Sequence, residues 1–171
     1  ALDPQGRKHA GWGAVYEQYF QEIDKVKGQK GVLSVEKKLF VETNNGTNRQ
    51  IRPVTPEQPL RIGDKVIVRL TIRTDREMNY VFLKDLRAGC FEPADQLSGP
   101  ESRDGIWYYR SPKDVSENFF INRLPEGTFV LEYPVYVSRS GEYAGGISTI
   151  QCMYAPEFVS HTAGESLRIM P

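Results

Sequence analysis

The sequence predicts an all-β chain, an antiparallel two-sheet β-sandwich over residues 31–171, preceded by a segment of different character over residues 1–30. Three observations carry the prediction. Apolar and polar residues alternate in several runs of strand length, the period that turns one face of a strand to a core. Clusters of Gly, Pro and Asn punctuate these runs at roughly ten-residue spacing, which gives about eight strands. From Gly31 to Pro171 no stretch holds a helix of ordinary length.

The first strand is "LSVEKKLFV", with Leu33, Val35, Leu39 and Val41 on one face and Lys37 among them. "NNGTN" then turns the chain, because Asn and Gly accept positive φ at little cost. Asn45-Gly46-Thr47 is also a glycosylation sequon, but the hairpin turn explains the same letters. After a turn at Gly63-Asp64, "KVIVRLTIRT" is the cleanest strand, with Val66, Val68, Leu70 and Ile72 inward and Arg69, Thr71 and Arg73 outward. "YVFLKDL", "IWYYRS" and "ENFFINRL" follow. "PEGT" launches "FVLEYPVYV", where Phe129, Leu131, Tyr133, Val135 and Val137 alternate inward. Pro134 has no N–H and belongs at a sheet edge or a bulge. "AGGISTIQCMY" and "SLRIM" complete the set, with Ile147 assigned to the core and a turn placed at Ala155-Pro156-Glu157.

In residues 1–30, Trp12, Val15, Tyr16, Tyr19, Phe20 and Ile23 recur at helical spacing. The same residue types are strand formers, and two glycines open the stretch, so helix and strand both stand.

Composition excludes several function classes. Twenty-two basic residues balance 22 acidic ones, so net charge draws neither nucleic acid nor an anionic membrane. No run of about 18 apolar residues occurs to insert into a bilayer. The chain starts "ALDPQG", without Met or a signal-like h-region, and reads as a piece of a longer protein whose signal or lipid anchor lies upstream. Cys90 and Cys152 sit in strand-like contexts and are expected to be free, buried thiols, with a disulfide as the alternative.

No constellation of catalytic residues is visible. His9 and His161 have no metal ligand at the usual spacing, and nucleophile-elbow, zincin, P-loop and dinucleotide motifs are absent. "GEYAGG" opens no helix and is a poor phosphate cradle. Asp85 and Asp95 match a glycosidase pair only in residue type and read as solvated turn and edge charges. Trp107, Tyr108 and Tyr109 could stack on a sugar, but the simpler assignment puts Trp107 and Tyr109 in the core and Tyr108 outside. The expectation is a non-enzyme without cofactor or metal.

One ordered set of segments adds to this. "YVFLKDLRAGCFEP", "FFINRLPEGTFVLEY" and "MYAPE" resemble, in that order and spacing, the C-terminal macroglobulin-like domain of bacterial alpha-2-macroglobulin family proteins. "LSVEKKLFVE" and "PLRIGDKVIVRL" extend the resemblance from Leu33 to the end. Cys90 departs from it, since a small or aliphatic residue usually follows "AG" there. The resemblance implies a macroglobulin-like, immunoglobulin-like sandwich, akin to a receptor-binding domain, that does no chemistry. Its parent would be a cell-envelope protein, periplasmic or surface-bound, that traps proteases through a bait region and a thioester. The implied partners are the neighbouring thioester and macroglobulin-like domains and, through the parent, target proteases. Met153 and Tyr154, with Pro156 and Glu157 beside them, would form an interdomain interface that shields the thioester. "GWGAVYEQYFQEIDKV" resembles the final strand of the preceding CUB-type domain. The thioester motif Cys-x-Glu-Gln is not in these residues. A carbohydrate-binding or adhesin sandwich is the alternative function.

Overall fold

The computed structural model describes residues 31–171. The helix-or-strand question for residues 1–30, and their assignment to a preceding domain, lie outside the described residues. Fourteen strands and no helix make up the described part: β1 Leu33–Asn45, β2 Asn48–Pro53, β3 Leu60–Arg61, β4 Lys65–Thr74, β5 Met78–Leu86, β6 Phe91–Pro93, β7 Gly99–Arg103, β8 Ile106–Pro112, β9 Ser116–Leu124, β10 Gly127–Val137, β11 Gly141–Ala144, β12 Ser148–Cys152, β13 Ala155–His161 and β14 Ser166–Met170.

Two sheets form the predicted sandwich, one in the order β2-β1-β4-β10-β6 and the other in the order β13-β12-β5-β9-β8-β7. All their pairings are antiparallel. A third sheet, β11-β14-β3, is an addition to the expectation, and its β14–β3 pair is parallel. Leu60, Leu167 and Ile169 tie this small sheet into the same buried cluster as the sandwich.

Alternation sets the core as predicted in the first sheet. Leu33, Val35, Leu39 and Val41 of β1 are buried, as are Val66, Val68, Leu70 and Ile72 of β4 and the alternating five from Phe129 to Val137 in β10. Opposite them lie Val81, Leu83, Phe119, Ile121 and Ile150. Ile147 corrects the expectation: it is only half-buried and precedes β12, whose inward positions are Ser148, Ile150 and Cys152. Inward positions recur at every second residue, so Ile147 falls on the wrong parity. Pro134 pairs with Ile67 one position beyond the end of β6, where β10 becomes a sheet edge, as its missing N–H requires. The "NNGTN" hairpin forms with Asn45 paired to Asn48 and Gly46 at φ 71°. Cys90 and Cys152 are both free and buried, and burial pushes the Cys90 thiol up to about 11.

Two buried ionic clusters lie in this core. Asp85, fully buried on β5, receives the Lys37 ammonium of β1 at 2.8 Å, the Ser148 hydroxyl of β12 at 2.6 Å and the Tyr133 hydroxyl of β10. Lys37 also donates to the carbonyls of Leu86 and Gly145, at 3.1 and 3.2 Å, so the ammonium has three acceptors. In the second cluster Glu117 accepts from Arg87 Nη1 at 2.9 Å and from Arg110 Nε at 2.5 Å. Asp85 is therefore not the solvated charge the sequence suggested. Nor does it face Asp95, which sits on Arg110 at 3.3 Å. The two carboxylates belong to separate networks, and the Asp85 network joins the two sheets of the sandwich.

Candidate functional site

Met153 and Tyr154 are the two loop residues of the β12–β13 hairpin, between the paired Cys152 and Ala155. The turn is therefore at Met153-Tyr154 itself, and not at Ala155-Pro156-Glu157, which begins β13. Neither loop residue has the positive φ of the usual two-residue hairpin turns. The ladder adapts instead: the register breaks between Gln151↔Val159 and Cys152↔Ala155. Pro156, Glu157 and Phe158 fall within that break, on the outermost strand of the sheet, where a residue without an N–H leaves no ladder bond unmade.

The hairpin thus lifts two large side chains into solvent. Tyr154 is 81% exposed and Met153 56%, and Pro156 and Glu157 are exposed beside them. Inward-facing Cys152 and Ile150 anchor the strand below.

Tyr80 on β5, which sequence reading does not single out, holds the hairpin from the side. The β5–β9 pairing passes from Asn79↔Arg123 to Val81↔Ile121 and opens at Tyr80, whose φ is 56°. Its carbonyl accepts the Met153 N–H at 2.9 Å. Its ring meets the Tyr154 ring edge-on, with centroids 5.1 Å apart and planes at 81°.

The aromatic surface continues along the outer face of this sheet. Tyr109, Phe120, Phe82 and Gln151 occupy facing positions on four adjacent strands. The Phe82 and Phe120 rings stack at 4.9 Å. Trp107 is 71% exposed, and Tyr109 and Phe120 also face solvent. This overturns the assignment of Trp107 and Tyr109 to the core with Tyr108 outside. Ile106 and Arg110 are inward positions of β8, and period two then makes Tyr108 the buried ring of the trio. Tyr108 packs edge-on against Phe119 at 5.7 Å and donates its hydroxyl to Glu101 at 3.0 Å. A shallow hollow beside Trp107 is lined by Pro100, Tyr109, Phe120, Asn122 and Arg123.

Among the described residues no group of His, Cys, Asp and Glu converges as a metal site. The Gly145-Gly146 pair of "GEYAGG" is packed against neighbouring backbone: a Cβ on Gly146 would meet the Leu86 carbonyl oxygen at 2.0 Å. This outer face of the sheet is apolar and aromatic.

Residues 33–157 match the family model of the Bacterial Alpha-2-macroglobulin MG10 domain. Salmonella alpha-2-macroglobulin reacted with methylamine superposes with a TM-score of 0.65 at 21% identity, covering 85% of this chain and 10% of that one. Escherichia coli alpha-2-macroglobulin activated by porcine elastase gives 0.66 at 18% identity, over 85% of this chain and 14% of that one. At these identities the likeness speaks to the fold. "Circularly permutated Ras protein 2" of Dictyostelium discoideum is 28% identical over 109 residues, 64% of this chain and 3% of that protein. The chain thus spans a small part of each relative.

Proposed function

The chain belongs to the bacterial alpha-2-macroglobulin MG10 domain family, and from that premise we propose that it is a non-catalytic packing domain of a protease-trapping cell-envelope protein. Residues 31–171 form that domain, and residues 1–30 are the end of a preceding CUB-type domain or a linker to it. The interface toward the thioester domain is Met153, Tyr154, Pro156 and Glu157, and its role is to keep water and small nucleophiles from the thioester. The observation that supports this most is Tyr154, 81% exposed at the tip of a hairpin where solvation of a phenyl ring serves no purpose in the chain itself. Met153 beside it offers a pliable apolar contact that moulds to a partner. Target proteases are partners of the parent and not of this domain alone.

Tyr154→Ala is the test. In this 171-residue chain it should change stability by less than about 1 kcal/mol, as surface substitutions do. In a parent that carries a thioester it should speed attack by methylamine. Unchanged amine reactivity, or loss of folding in the 171-residue chain, would leave Tyr154 an ordinary packing residue.

A second reading, a glycan-binding sandwich, is supported by the exposure of Trp107 and Tyr109 beside the polar ends of Asn122 and Arg123. It calls for specific retention on a glycan array that Trp107→Ala abolishes. Absence of any retention by the unaltered chain removes this reading.

A further inference from the structure

A tyrosine rarely adopts the left-handed backbone region, because its Cβ crowds the following carbonyl. Tyr80 does so at φ 56° near the start of β5, where the β9 ladder skips it and the β12 ladder stops one residue short of it, at Val81↔Cys152. Asp104, the other described non-glycine residue in this region, sits in a two-residue hairpin loop before Gly105, where such a conformation is ordinary. Tyr80 has no turn to make. Its conformation instead has two local consequences. The carbonyl meets the Met153 N–H at 2.9 Å, and the ring, 51% exposed, stands edge-on to Tyr154 at 5.1 Å. Strain retained at a half-exposed position points to function, because such conformations persist where the surroundings over-determine them and cluster at sites that act on a partner.

We propose that the Tyr80 ring is the positioning element of the Met153–Tyr154 hairpin: it holds the Tyr154 ring upright in the pose that an apolar surface of a neighbouring domain receives. This rests on the reading that the hairpin docks such a domain. The rotor that Tyr154 would otherwise lose on docking is restricted beforehand, which strengthens association without adding a contact. The backbone and the ring of Tyr80 have separable roles. Glycine accepts positive φ freely, so Tyr80→Gly keeps the carbonyl in place and removes only the ring. Tyr80→Phe keeps the ring and removes the hydroxyl.

Met153 is a built-in reporter, because its thioether oxidises to the sulfoxide at a rate set by access. Met170, 38% exposed on β14, serves as the internal reference in the same digest. Dilute peroxide is applied to the full-length parent and to the 171-residue chain, and Met153 sulfoxide is followed by peptide mass. In the unaltered parent Met153 should oxidise several-fold more slowly than in the 171-residue chain. Tyr80→Gly in the parent should restore most of the fast rate, and Tyr80→Phe should keep the slow one. The urea midpoint of the 171-residue chain should not fall with Tyr80→Gly. Equal Met153 rates in the unaltered parent and in the 171-residue chain would overturn the docking reading, and this inference with it. A slow rate in the parent that Tyr80→Gly leaves unchanged would overturn this inference alone. A lowered urea midpoint would do the same, by making the ring part of the packing.

Discussion

Asp85→Ala is expected to cost about 3–5 kcal/mol, the range for removing one partner of a buried ion pair. That is a large share of the roughly 5–15 kcal/mol that holds a domain folded. The carboxylate takes hydrogen bonds from Lys37, Tyr133 and Ser148, two from one sheet and one from the other. Without it the Lys37 ammonium, its side chain 8% exposed, keeps two carbonyl acceptors but no counter-charge. The Tyr133 and Ser148 hydroxyls lose the same acceptor. Urea denaturation measures the loss. Adding Lys37→Met to Asp85→Ala should recover part of it, because an apolar side chain tolerates burial where an unpaired ammonium does not. A cost below about 1 kcal/mol for Asp85→Ala would mean that water replaces the carboxylate and that the cluster is not buried as described.

The same cluster sets a pH limit. Burial, and then the Asp85 charge, push the Tyr133 phenol well above its ordinary value of 10.0. The folded chain thus keeps a proton that the unfolded chain releases. This contribution is fully present below pH 10.0 and is lost as the pH rises from there toward the folded phenol's value, so stability should decline once the pH passes 10.0.

Sequence and structure agree where one face of a strand meets the core. Val66, Val68, Leu70 and Ile72 alternate because β4 is central and its outer positions are polar enough to mark the other face. Strands without a buried face leave no such trace. β7 is "GPESR", an edge strand with nothing apolar in it, and only the Asp104-Gly105 hairpin signal beside it marks its end. Trp107 is misplaced when the size of a ring is weighed above the parity set by Ile106. The exposure of Met153 and Tyr154 can be anticipated from a resemblance, but the hairpin placement cannot, since Ala-Pro is the stronger turn signal by composition. The Asp85 cluster joins residues 48 and 63 positions away along the chain, and no local pattern reveals it. Nor does any sequence signal announce positive φ at a tyrosine.

Gly146→Ala should be among the most damaging single substitutions in the chain, at about 4 kcal/mol or more, the exceptional class for a point change. Two causes act together. The φ of +73° strains any residue with a Cβ, and that Cβ would lie 2.0 Å from the Leu86 carbonyl oxygen and 2.7 Å from its carbon. Neither atom can retreat easily. The Leu86 oxygen accepts the Lys37 ammonium, and the Leu86 N–H is held by the Ile147 carbonyl at 2.9 Å. A shift that relieves the clash therefore pulls on the Asp85 cluster through Lys37, so the two sites should not behave additively. Gly105 supplies the control. Its φ of +81° is as restrictive, but nothing lies within 4 Å of its missing Cβ. Gly105→Ala should consequently cost only the backbone term, about 1 kcal/mol. Thermal or urea unfolding of the two variants side by side separates contact from conformation. If Gly146→Ala proves no worse than Gly105→Ala, the backbone at Leu86 yields, and the close approach of these two segments is not what holds Lys37 in place.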